Sequence, residues 1–281
     1  MSAAGEQLRT ASGDEFVRLI QEAPAGELLP ALDNPSLDEE TLGLLLQRKD
    51  LPAEFLQEVL LRRHFLKNYR VKKSLAFHPH TPRTEGFRLL RELYLMDLVQ
   101  FAISPGVQPD MKIKAEEQVI AKLPHLPLGQ KITLARRAPG RIAGALLAEG
   151  HPPVVKAALG NPNLTEAQVL RVLSRDRLPA IVVQSLAQDA KWSHVYNVRI
   201  ALIRQPSTTL TKVLSFLPEL TISDLRELVA PGILPENLRH YLQVEIQRRF
   251  QKSKAKAGAD AAKPADTGAD APDTDSSGDA E

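Results

Sequence analysis

The chain has 281 residues and a formal net charge of +2; 43% of its residues are hydrophobic but only 5% aromatic, and none is cysteine. Without cysteine, disulfides, thiolate metal centres, cysteine-ligated clusters and a cysteine nucleophile are excluded together. No apolar run approaches the roughly 20 residues that cross a bilayer, and a core of Leu, Val, Ile and Ala suits helices packed on helices, so an all-α, soluble, cytoplasmic protein is expected.

Residues 1–11 are polar and are expected to be a disordered N-terminus. Ser12 and Glu15 then stand at capping-box spacing, and Phe16, Leu19 and Ile20 follow on one helical face. Residues 12–33 are therefore expected to cap whatever they precede. At Asn34-Pro35 the proline pushes its predecessor out of the α region and ends the helix. Ser36 and Glu39 repeat the capping-box spacing, and Leu42, Leu45 and Leu46 form one face. Leu51-Pro52-Ala53 opens a second helix with Phe55, Leu56 and Val59, its proline early where a missing N–H costs little. A two-turn helix begins at Tyr69 and ends before His78-Pro79, and Phe87, Leu90 and Asp97-Leu98 continue the pattern.

The same text then recurs. Residues 31–93 align without a gap on 158–220 at an offset of about 127 positions, with roughly a third of them identical. Asn161-Pro162 answers Asn34-Pro35, Gln205-Pro206 answers His78-Pro79, and Leu178-Pro179-Ala180 answers Leu51-Pro52-Ala53. Asn163 and Glu166 stand at the capping-box spacing of Ser36 and Glu39, and Asp224 stands where Asp97 does. Within each copy the X-Pro marks are about 44 residues apart, the length of a helical repeat unit. The stretch between the copies is itself repeat-like and holds no Ser- or Gly-rich linker, so a single domain over 12–250 is expected, with copy one at about 31–150 and copy two at about 151–250. From residue 251 onward four Lys face six Asp and one Glu, a balance of −3 that leaves +5 on the body. Residues 251–281, with no large apolar side chain, are expected to form a disordered acidic tail.

Residues 71–79 and 154–162, each a Val- and Lys-bearing helix running into His-Pro or Asn-Pro, resemble the motif of leucine-rich repeat variant proteins. The wider pattern, over roughly 31–245, is similar to HEAT-like repeats. That resemblance implies a right-handed α-solenoid, internally duplicated here. Such repeats were first described beside a cysteine-ligated cluster, which a chain without cysteine does not hold, so no redox role carries over.

Chemistry is sparse. The densest charge feature is the run Arg62, Arg63, Lys67, Arg70, Lys72 and Lys73, with Phe65 and Tyr69 interleaved and no acid inside it. The matching stretch, 188–200, keeps Tyr196 but only Lys191 and Arg199 as bases. A scaffold requirement should be common to both copies, so the excess charge points to an anion-binding patch; the alternative is a solvated polar face. Trp192 stands where Phe65 does, either as packing or as an exposed anchor for a partner. His64, His78 and His80 lack the convergent spacing of a zinc site, and His78 is expected to replace the Asn found at 34 and 161. No phosphate loop, nucleophile elbow or His-Glu-x-x-His motif occurs. No cofactor, metal or catalysis is expected. Two readings remain: a non-enzymatic scaffold that binds another protein, or a HEAT-like nucleic-acid binder, resembling helical-repeat DNA glycosylases, that lines a basic groove with the run and with Arg136, Arg137, Arg141, Arg248 and Arg249.

Overall fold

The computed structural model describes residues 3–230, 234 and 236–261. Among these residues the chain is all-helical, with no strand. Ahead of copy one lie α1 (Ala3–Thr10) and α2 (Gly13–Glu22), and copy one supplies α3 (Glu39–Leu45), α4 (Ala53–Leu61), α5 (Tyr69–Phe77), α6 (Arg83–Glu92), α7 (Leu95–Ile103), α8 (Pro109–Lys122), α9 (Leu128–Arg137) and α10 (Gly140–Ala148). Copy two supplies α11 (Pro152–Leu159), α12 (Glu166–Leu173), α13 (Ala180–Gln188), α14 (Tyr196–Arg204), α15 (Leu210–Phe216), α16 (Ile222–Val229) and α17 (Glu236–Ala261).

The helices form where the apolar spacing places them. Phe55, Leu56 and Val59 of α4 are buried, as are Val182, Val183 and Leu186 at the matching positions of α13. Each such side chain contributes about 1.5–3 kcal/mol relative to exposure. The 127-position offset extends ahead of the aligned sequence: α2 and α10 start 127 positions apart, at Gly13 and Gly140.

The X-Pro turns are the joints. All four close with the same bond, in which the carbonyl of Asn34, His78, Asn161 or Gln205 accepts from the N–H three residues on, at 3.1–3.2 Å, with Pro second in the turn where its fixed φ fits. Asn34 and Asn161 are buried and add an inter-helix bracket. Nδ2 of Asn34 donates to the carbonyls of Leu8 and Ala11, each at 2.8 Å. Nδ2 of Asn161 donates to Ala135 at 2.8 Å and Ala138 at 3.0 Å. Each Oδ1 accepts from the N–H two residues on at 2.7 Å. The bracketed carbonyls lie at the C-terminal ends of α1 and α9, where a helix leaves its last C=O groups unpaired.

The chain divides into two compact units, one ending at Leu202 and the other beginning at Ile203, inside α14. The copy boundary near 150 is not a packing boundary, because α10 contacts α8, α9, α11 and α12. Within the first unit α3 packs on α5, α6 on α8, α9 on α11 and α11 on α13, each helix meeting its next-but-one neighbour. In the second unit α16 packs on α17, and Arg249 donates to the carbonyls of Leu217 and Leu220.

Four local expectations differ from the structure. Within the segment expected to be disordered, Ala3–Thr10 form α1, anchored by Leu8, which is 1% exposed. The segment 12–33 is helical only to Glu22 and continues as two short 310 turns. The residue capping α3 is Asp38, whose side chain accepts from Thr41 N–H at 2.8 Å, and α12 follows Thr165. Ser36 and Asn163 instead present their N–H groups to the bracketing asparagines, which explains why their capping-box spacing misleads. Finally, α17 extends through 251–261, a stretch whose Ala and Lys are strong helix formers. The rest of the expected tail, 262–281, lies outside the described residues.

Candidate partner-binding surface

The basic run bridges the end of α4, the 310 turn Phe65–Lys67 and α5. The fold separates it into two sets. Arg62 donates to the Leu32 carbonyl and pairs with Asp33. Lys72 pairs with Glu92, and Lys73 with Asp97 at 2.7 Å. These three cations tie α4 and α5 to neighbouring segments. Arg63, Lys67 and Arg70 are exposed and make no ion pair among the described residues. Their counterparts in the second copy are Ala190, His194 and Asn197, none of them Lys or Arg. Of the six cations, the three that are exposed, private to the first copy and without an ion pair among the described residues are thus Arg63, Lys67 and Arg70.

The two aromatic candidates inside the run are occupied. Phe65 is buried. Tyr69 stacks on Tyr94 with ring centroids 4.0 Å apart, donates from its hydroxyl to Asp97, and accepts the Tyr94 N–H at 2.9 Å. Burial, reinforced by the Asp97 bond, pushes the Tyr69 hydroxyl up to about 12. Burial alone would raise Asp97 as well, but the hydrogen bonds from Lys73 and Tyr69 outweigh it and hold the carboxyl below its usual range. With every polar atom engaged, this Tyr-Asp-Lys group is a structural clasp between α5 and α7. Tyr94 itself is 66% exposed and Leu61 is 72% exposed, so the corner offers apolar as well as cationic contact. Neither was legible as a site residue, since a single Tyr or Leu on a helix end carries no pattern.

Trp192, expected as packing or as an anchor, is 2% exposed, with Nε1 donating to the Leu159 carbonyl at 3.4 Å and Lys191 over its ring at 4.3 Å. It is a packing residue and leaves the list of surface candidates. His78 does replace the bracketing Asn: Nε2 lies 2.8 Å from the Arg48 carbonyl and Nδ1 accepts the His80 N–H at 3.2 Å. Those contacts require the neutral ring with its proton on Nε2, and burial lowers the His78 pKa. No group of three or more His, Cys, Asp or Glu residues suited to a metal occurs among the described residues.

The cations assigned to a basic groove are also partly engaged. Arg141 faces Glu116 at 3.8 Å and Glu117 at 3.4 Å, and Arg249 holds Glu245 at 2.9 Å besides its two carbonyls. Arg248 is 3.7 Å from Glu245, and Arg136 and Arg137 are exposed at the end of α9. No helix among the described residues is long and apolar enough to cross a membrane. No protein-family model, no curated protein and no solved structure matches the chain.

Proposed function

We propose that the chain is a cytoplasmic, non-enzymatic adaptor, built as a right-handed α-solenoid of the HEAT or leucine-rich repeat variant kind, that binds an acidic segment of a partner protein. One observation carries this reading: Arg63, Lys67 and Arg70 stand exposed and without an ion pair among the described residues, on a corner whose counterpart in the second copy has none of the three bases. Charges that neither copy's packing requires are available for a partner. Exposed Leu61 and Tyr94 favour a peptide with apolar residues between its acids. The nucleic-acid reading keeps Arg136 and Arg137, but Arg141 and Arg249 already serve Glu116, Glu117 and Glu245.

The test exchanges the copies. A variant carrying Arg63→Ala, Lys67→His and Arg70→Asn, the residues of the second copy, is compared with the native chain. Fluorescence anisotropy is read against an Asp/Glu-rich peptide containing Leu and Phe, and against duplex DNA, at two salt concentrations. The peptide should bind the native chain and lose about tenfold or more in affinity with the variant. Equal binding to both proteins overturns the proposal. Tighter binding of the duplex, weakening steeply with salt, transfers the surface to nucleic acid.

A further inference from the structure

A cavity of about 440 Å³ opens at the opposite end of α5 from the basic corner. Its wall combines two kinds of side chain. Phe77 and Phe101 meet edge to face with centroids 5.2 Å apart, and Met111 lies beside them. Lys49, Arg83 and Gln108 contribute polar groups. The volume falls within the range of about 300–1,000 Å³ typical of small-ligand sites, which are mostly apolar with a few placed polar groups.

The polar inventory narrows the ligand. Ser104 and Thr81 donate their hydroxyl protons to the carbonyls of Gln100 and Leu75, and both His78 ring nitrogens are engaged, so these residues are wall and not donors. Lys49 makes no ion pair among the described residues. Arg83 faces Asp110 at 3.4 Å in an exposed pair, a contact of the kind worth about 0–1 kcal/mol and readily exchanged for another anion. Lys49, Arg83 and Asp110 together leave one positive charge, which suits a monoanion. The apolar wall suits an aromatic body, and Met111 gives it an adaptable side: its Cε sits where a Cβ on Gly86 would be 2.7 Å away.

Comparison of the copies separates this chemistry from the scaffold. Pro79 and Thr81 are matched by Pro206 and Thr208, so the turn is common. Lys49, Phe77, Arg83 and Phe101 are matched by Asp176, Arg204, Leu210 and Leu228. Both cations and both aromatic rings are thus private to the first copy, while the joint that holds them is shared.

We infer that the cavity between α5, α6, α7 and α8 is a binding site for a small aromatic carboxylate, with the ring against the wall formed by Phe77, Phe101 and Met111 and the carboxylate at Lys49 and Arg83.

Isothermal titration of the full chain with 2-naphthoate tests this, with 2-naphthalenemethanol as the neutral comparison. The naphthoate should bind saturably with one site and about tenfold or more ahead of the alcohol. Lys49→Asp with Arg83→Leu, exchanges to second-copy residues at exposed positions, should abolish that preference while leaving thermal unfolding in place. Phe77→Arg should weaken both ligands. The triple exchange at Arg63, Lys67 and Arg70 should leave naphthoate binding unchanged, which keeps this site distinct from the partner-binding corner. Absence of saturable binding, equal affinity for acid and alcohol, or full affinity in the Lys49→Asp, Arg83→Leu protein overturns the inference.

Discussion

Asn161 shows how much one side chain can hold. Its Nδ2 satisfies two carbonyls at the end of α9 and its Oδ1 fixes the following turn. Asn161→Ala leaves buried acceptors unmet, each costing about 1–3 kcal/mol, so a loss of about 2–4 kcal/mol is expected in urea unfolding. His78 performs the same task with a ring that titrates. Because burial lowers its folded pKa below 6.5, the unfolded chain binds the extra proton first as pH falls. The stability this neutral ring supports is therefore full above pH 6.5 and is lost as pH drops through the folded pKa. His78→Asn, restoring the residue found at 34 and 161, should flatten that part of the profile; a variant whose stability falls between pH 7 and 5 as steeply as the native chain's would exclude this origin. At the other extreme the Tyr69 hydroxyl, raised to about 12, stays protonated after its unfolded counterpart ionises near 10. Its contribution should decline from pH 10 upward, and Tyr69→Phe should lose that decline together with about 1–3 kcal/mol.

Between elements, one tight contact is at the start of α10. A Cβ on Gly140 would lie 2.2 Å from the Asn163 carbonyl, so the first turn of α10 touches the backbone ahead of α12. Gly140→Ala must push these segments apart, at about 1–3 kcal/mol or more, a shift that calorimetry would register against an Ala control at the open position Gly129. Neither this contact nor the brackets are visible in residue spacing. What was legible is the set of helix faces and the X-Pro joints, because apolar periodicity and the proline ring act within a few residues: α4 and α13 start where Pro52 and Pro179 place them. The caps were misread since Ser36 and Asn163 have a rival acceptor two residues back. The helix at Ala3–Thr10, where disorder was expected, is held by Leu8, whose burial no local pattern announces. At the candidate site, the excess charge was legible by comparing copies, but its division into paired and free cations depends on Asp33, Glu92 and Asp97, each distant in sequence.

At the scale of the chain, a duplication in sequence has not produced a division at its own midpoint. Because α10 contacts both α8 and α12, a fragment ending at residue 150 should leave Ile142, Leu146 and Leu147 poorly covered. Such a fragment is expected to bind a hydrophobic dye and to unfold less cooperatively than the intact protein; a sharp transition at the native temperature would show that α11 and α12 are dispensable to it. The bracket described at Asn34 and Asn161 has a kinetic consequence as well. Its bonds join residues only 23 and 26 positions apart in both copies, and the His78 bond spans 30. Contacts this short in sequence require little loop closure before they form, and chains rich in them fold fast. Each bracket can therefore close without waiting for the other, so folding has two independent starting points along one polypeptide, and removing one asparagine should slow only the route that begins there.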